Sequence, residues 1–308
     1  MIKPKIIIVG GATASGKSAL ALRLCREFDG EIVSADSMQI YKRLNVGTAK
    51  PTAEETALVR HHLIDIKEPW ENYSAAEFVS DAEAAIRDIT ARGKLPVVCG
   101  GTGLYIDALI NPTHYSADAD ADEALRCELM KKDAHELWEE LYKTDREAAK
   151  KTHENNKKRV VRALEIYYKT GKTKTETDKE QKRFESDYDY LLLLTGFSDR
   201  EALYGKINRR VDIMIQNGLV GETAALLENN DLREGTTAYQ AIGYKELFPY
   251  FKGEKTLDEC IDKLKQATRN YAKRQLTWFS RYDGVKVSDC EAAEAAVSAF
   301  LKGVDGHG

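Results

Sequence analysis

Apolar residues along this chain fall into two alternating rhythms. Short, nearly unbroken apolar runs at residues 6–9, 31–34, 95–99 and 190–195 have the length and composition of strands buried on both faces. Between the first three, residues 18–27 and 75–92 repeat apolar positions every three or four residues, which predicts amphipathic helices. Strand and helix in alternation predict an α/β fold, a parallel sheet flanked by helices. Arg92-Gly93-Lys94 ends the second helix, and Gly100-Gly101-Thr102-Gly103 makes a turn after the third strand. Ligands in such folds sit at the carboxyl ends of strands, where Gly11, Asp36 and Thr102 fall.

The rhythm changes after Pro112. As far as about Tyr188 the pattern is helical and highly charged, with polar stretches at 116–122 and 170–181. This predicts an all-helical insertion over 112–188 in a core formed by 1–111 and 189–308. Beyond the strand at Tyr190, further helices are predicted over 200–217, 221–227, 257–282 and 291–302, and a disordered tail over 303–308.

Composition narrows the class. A chain of 308 residues that is 43% hydrophobic can bury a full core, and its length suggests about two domains. Met1-Ile2-Lys3-Pro4 leads directly into strand-like sequence and no run of some 18 apolar residues occurs. Neither a signal peptide nor a membrane span is expected, and the expected compartment is the cytoplasm. Five cysteines without a Cys-x-x-Cys pair read as reduced thiols. His61 and His62 lack further ligands at metal-binding spacing, so they read as structural and outside the site. The net charge of −4 conceals an acidic stretch at 118–133 and basic ones at 156–162 and 263–281, and does not exclude a nucleic-acid partner.

The chemistry begins after the first strand. Gly11-Ala12-Thr13-Ala14-Ser15-Gly16-Lys17-Ser18 fits the G-x-x-x-x-G-K-[ST] phosphate loop of P-loop NTPases. Its amides form a nest for a polyphosphate, Lys17 adds a charge, Ser18 can ligate Mg²⁺, and the next helix points its positive end at the anion. Nucleotide kinases, GTPases and transferases of diphosphate-activated groups all share such a loop. A GTPase is disfavoured, because the only Asn-Lys, Asn156-Lys157, continues as Lys158-Arg159 instead of x-Asp.

The order of motifs goes further. After the loop come Asp36-Ser37-Met38-Gln39-Ile40-Tyr41, Gly47-Thr48-Ala49-Lys50-Pro51, His61-His62-Leu63-Ile64-Asp65, Gly100 to Tyr105, Arg162-Ala163-Leu164-Glu165, Ile242-Gly243-Tyr244-Lys245 and Tyr271-Ala272-Lys273-Arg274-Gln275. Together they resemble the tRNA dimethylallyltransferase family across nearly the whole chain. Ala12 replaces the family's usual proline, Asp145-Arg146 stands where Asp-Pro is more usual, and no C-terminal zinc finger follows, which points to the bacterial type.

The resemblance implies transfer of a dimethylallyl group from dimethylallyl diphosphate to N6 of adenosine 37, beside the tRNA anticodon, with Mg²⁺ as cofactor. It implies Asp36 as general base, Thr13 as a residue holding the reacting groups and Arg210 as a diphosphate contact. In place of ATP, the loop Gly11 to Ser18 would hold the donor's diphosphate. Contacts to tRNA are implied for Asp36, Ser37, Met38, Gln39, Thr102, Lys158, Arg159, Val160, Val161, Arg162, Gln240, Gly243 and Lys245. Tyr271, Trp278 and Phe279 read as core. No obligate protein partner and no membrane are expected, and the protein is expected to act as a monomer. The rival acceptors are free adenine nucleotides, and the rival chemistry is small-molecule phosphorylation.

Overall fold

A computed structural model describes residues 3–111, 122–181, 185–196 and 199–303; all but the last residue of the predicted polar stretch 116–122, and all but the first of the predicted tail 303–308, lie outside them. Ile6, Ile7, Ile8 and Val9 have no exposed surface. Burying each such side chain contributes about 1.5–3 kcal/mol before chain entropy is counted, and only a sheet covered on both faces allows it. The strands are β1 (Lys5–Gly11), β2 (Gly30–Ser34), β3 (His61–His62), β4 (Leu95–Gly100), β5 (Asp189–Thr195) and β6 (Val285–Lys286). Among the described residues they form one sheet, in the order β3-β2-β4-β1-β5-β6, with every neighbouring pair parallel.

Helices α1 (Lys17–Glu27), α2 (Ala53–Leu58), α3 (Ala75–Ala91) and α4 (Gly103–Ile110) follow the first strands in turn. Helices α5 (Glu123–Lys131), α6 (Ala134–Thr144), α7 (Arg146–Lys151), α8 (Lys157–Thr170) and α9 (Lys174–Gln181) come before β5. Then follow α10 (Arg200–Gln216), α11 (Leu219–Glu228), α12 (Phe248–Phe251), α13 (Leu257–Phe279) and α14 (Cys290–Lys302). Capping boxes at Ser74 with Glu77 and at Thr256 with Glu259 start α3 and α13, each worth about 1 kcal/mol. The edge strands β3 and β6, two residues each, and the helices α2 and α4 are absent from the sequence expectation. Two residues carry no readable period, and α4 follows its glycine turn without a break.

The chain divides into two compact units, Met1–Leu109 with Asp187–Gly308, and Ile110–Ser186. In the first, Ile7, Val9, Leu24, Ile32, Val97 and Leu193 pack with Ala293 and Val297 of α14. In the second, Leu137, Leu141, Ala149, Val160, Val161 and Leu164 form the core. There Glu165 is fully buried, and accepts hydrogen bonds from Arg126 at 2.9 Å and Arg162 at 3.1 Å. Burial alone would raise its pKa; the two guanidiniums outweigh that and hold it below the usual carboxylate range. Asp145 caps α7 and also accepts from the amide and hydroxyl of Thr175. Among the described residues, no helix is long and apolar enough to cross a membrane.

Candidate active site

β1 ends at Gly11, whose φ of +143° lies where side chains rarely go; a Cβ there would stand 2.4 Å from the Thr195 carbonyl oxygen. Glycine lets the chain turn off the sheet into the phosphate loop. The Ser15 hydroxyl bonds to the Ala12 carbonyl at 2.7 Å and to Thr195 Oγ1 at 2.6 Å. Gly16, at φ 91°, precedes the first turn of α1, so that helix directs its free N–H groups toward the loop. Lys17 is half-buried by surface area, but its ammonium turns back to the Ala12 carbonyl. Burial pushes that ammonium down to about 8, with Cys99 and Asp36 opposing and Arg210 adding to the shift.

Arg210, on α10, donates from Nη1 to Thr13 Oγ1 at 3.3 Å. Burial lowers its pKa and Asp36 opposes the shift, so a second cation faces the same acid. Asp36 follows β2, and its Oδ1 accepts the N–H groups of Met38 at 2.9 Å and Gln39 at 3.3 Å. These two bonds fix the direction of the carboxylate. The Thr102 hydroxyl accepts the Ser37 N–H at 3.0 Å, tying the turn after β4 to the residue next to Asp36.

Three cavities meet at these groups. One of about 250 Å³ is lined by Lys17, Ser18, Asp36, His61, Tyr271 and Gln275. A second, of about 280 Å³, is lined by Ser37, Met38, Met214, Gln240, Gly243, Lys245 and Arg274. Both have Thr13, Asp36, Arg210 and Tyr271 in their walls. A third, of about 940 Å³, shares Lys17, Ser18 and Arg210 and adds Lys206, Arg209 and Ile213. Loop 45–49 runs along all three. Glu222 on α11 pins that loop by accepting the N–H groups of Asn45, Val46 and Gly47 at 2.9–3.2 Å, together with the Tyr244 hydroxyl at 2.7 Å.

The structure thus brings Thr13, Lys17, Ser18, Asp36 and Arg210 together, with Ser37, Met38, Gln240, Gly243 and Lys245 around the adjoining cavity. Other expected contacts differ. The Gln39 amide is spent inside the protein, accepting from Ser34 Oγ at 3.2 Å and donating to the carbonyls of Thr48 and Ala49 at 3.2 and 3.1 Å. Val160 and Val161 are 0% and 2% exposed, so their side chains pack the second unit's core instead of presenting to a ligand. Arg162 is engaged by buried Glu165, whereas Lys158 and Arg159 on the same helix are exposed. Tyr271, read from the sequence as core, lines both inner cavities under the Arg274 guanidinium, 5.6 Å away; Phe279 is core, at 0% exposure.

His61 also corrects the sequence reading, because it lines the phosphate-loop cavity. Its Nδ1 meets the Val59 carbonyl at 2.8 Å. A carbonyl only accepts, so that nitrogen carries the proton. Burial lowers the pKa and keeps the ring neutral near pH 7.

A family model described as IPP transferase matches residues 39–282. The chain belongs to the IPP transferase family. A member named tRNA dimethylallyltransferase, from Anoxybacillus flavithermus, is 47% identical over 306 residues, covering 98% of this chain and 96% of that one. The crystal structure of the full-length tRNA isopentenylpyrophosphate transferase of Bacillus halodurans is 40% identical, with a TM-score of 0.70 over 98% of this chain and 97% of that one. A eukaryotic dimethylallyltransferase acting on tRNA is 32% identical, with a TM-score of 0.85 over 97% of this chain and 80% of that one. Within the IPP transferase match, the Gln275 and Tyr271 walls escaped sequence reasoning although both lie in the Tyr271 to Gln275 motif that carried the resemblance.

Proposed function

We propose that this enzyme transfers a dimethylallyl group from dimethylallyl diphosphate to N6 of adenosine 37 in tRNA, releasing diphosphate. The observation that carries the reading is the shared wall: Thr13, Asp36 and Arg210 border both the phosphate-loop cavity and the cavity beside it. A diphosphate on the loop and a base in the adjoining cavity would meet beside one carboxylate. The N6 lone pair is delocalised into the purine, so the amine is a weak nucleophile. Asp36, held through Oδ1 by two amides, accepts the amine's proton as the new N–C bond forms. The C–O bond to diphosphate breaks, and the charge that develops falls to Lys17, Arg210 and the loop amides.

Mg²⁺ suits the donor set. Ser18 is exposed in the first turn of α1, and among the described residues its hydroxyl makes no hydrogen bond. Mg²⁺ commonly takes one or two protein oxygens and completes its shell with phosphate oxygens and water. When bound, it supplies charge neutralisation on the leaving diphosphate. Lys158 and Arg159, exposed on α8, supply phosphate contacts to the RNA. An adenine within a stacked loop must leave its stack to enter a cavity of this kind.

The test is acceptor choice. The protein is incubated with Mg²⁺, donor labelled in its prenyl carbons, and unmodified tRNA carrying adenosines at positions 36 and 37, with AMP and ATP offered in parallel. Label on the tRNA alone is expected. Label on AMP or ATP instead moves the protein to free-nucleotide prenylation, and no transfer to any acceptor rejects the reading.

A further inference from the structure

Gln275 lies on α13 with 5% of its surface exposed, and both ends of its amide are used. Oε1 accepts the Thr13 N–H at 2.8 Å, and Nε2 donates to the Gly101 carbonyl at 2.9 Å. One partner is a donor and the other an acceptor, so only one orientation of the amide satisfies both. Residue 101 has to be glycine for this fit, because a Cβ there would stand 2.1 Å from Nε2.

Each end leads to a reacting group. Thr13 carries the hydroxyl that accepts from Arg210. Gly101 precedes Thr102, whose hydroxyl holds the Ser37 N–H beside Asp36. A single buried amide therefore ties together the loops that leave β1 and β4, and through Thr102 the loop that leaves β2. The Thr13 amide, being spent on Gln275, is also kept out of the set of N–H groups offered to an anion. We propose that Gln275 is a positioning residue, setting the separation between Asp36 and the phosphate loop so that amine, transferred carbon and diphosphate fall in line. The proposal rests on the prenyl-transfer reading above.

Two substitutions test it. Gln275→Met keeps the length and apolar bulk but makes neither hydrogen bond. It should lower kcat by about 30–100-fold, the cost of misplacing reacting groups by about 1 Å. The KM for tRNA should stay within about two-fold, since both ends of the buried amide are bonded within the protein. Gln275→Glu keeps the acceptor for Thr13, but as a carboxylate it repels the Gly101 carbonyl, and only its neutral form restores the donor. The titratable and charged groups that share the cavity with position 275 are Lys17, Asp36, Lys50, Glu55, His61, Cys99 and Arg210, with Tyr271 on the same helix. All are present in the wild type, so the ratio of variant to wild-type kcat isolates residue 275. That ratio should rise by about five-fold or more from pH 8 to pH 6 as the buried acid takes up its proton.

Active sites are titrated with labelled donor so that kcat is expressed per competent molecule. A Met variant within two-fold of wild type on that basis overturns the proposal. So does a Glu variant whose ratio to wild type is independent of pH, which is what a purely structural loss gives. Absence of prenyl transfer by the wild type overturns the activity reading instead, and is scored separately.

Discussion

Asp36 has two tasks that a single substitution can separate. Its Oδ1 holds the turn through Met38 and Gln39, while in the proposed reaction the carboxylate is the base. Asp36→Asn retains an acceptor oxygen for the turn and cannot take the proton. It should lower kcat by about 10²–10⁴-fold while the tRNA dissociation constant changes less than about two-fold. Single-turnover kinetics beside a binding titration checks this; weakened binding with turnover per complex preserved would contradict the role. Local motifs made this site legible, because phosphate loop and acid are each announced within eight residues. Gln275 was not legible, because its bond to Thr13 spans 262 residues and no local pattern marks a buried amide as a strut. Gln39 shows the same limit: the motif identifies the residue, but only the fold reveals that its amide is consumed by Ser34, Thr48 and Ala49.

At the scale of an element, α8 separates into faces that its basic sequence conceals. Arg159 is exposed, Val160 and Val161 are core, and Arg162 bonds to a glutamate with no exposed surface. The two arginines should therefore respond differently. Arg159→Ala should weaken tRNA binding and reduce the slope of log K against log salt by about 1, with an unchanged unfolding midpoint. Arg162→Ala leaves Glu165 with less charge compensation and should destabilise the second unit by about 1–3 kcal/mol. Salt-dependent binding and denaturant unfolding of both variants check the split; equal salt slopes with equal stabilities would refute it. A signal was present in the sequence, since Arg162 and Glu165 are three residues apart on one helix face. The long elements were readable for a different reason: β1, β2, β4 and β5 are continuous apolar runs, and α3, α10 and α13 hold their period for several turns. The two-residue strands β3 and β6 are defined only by their partners Ile32, Val33, Leu193 and Leu194.

For the molecule as a whole, acid stability centres on Glu31. The Arg92 guanidinium, and then His62 Nε2 at 2.7 Å, hold this buried carboxylate down to about 2, against the burial that opposes ionisation. A folded pKa below the unfolded value means that the contribution is full above the ordinary carboxylate range and is lost as pH falls through the folded value. Unfolding free energy should therefore drop between about pH 4.5 and pH 2. Glu31→Gln should flatten that drop, as followed by urea titration at a series of pH values. An acid limb of unchanged steepness would place the sensitivity elsewhere.

In the proposed reaction the phosphate loop grips a leaving group and transfers no phosphorus. Its most direct test is to follow both ends of one donor, with carbon-14 in the dimethylallyl group and phosphorus-32 in the diphosphate, through a single turnover with unmodified tRNA. Prenyl transfer puts the carbon label on the RNA, in an adenine substituted at N6, and releases all phosphorus label as intact diphosphate. Phosphorus label on the acceptor, or carbon label that stays with the phosphorus, would contradict it.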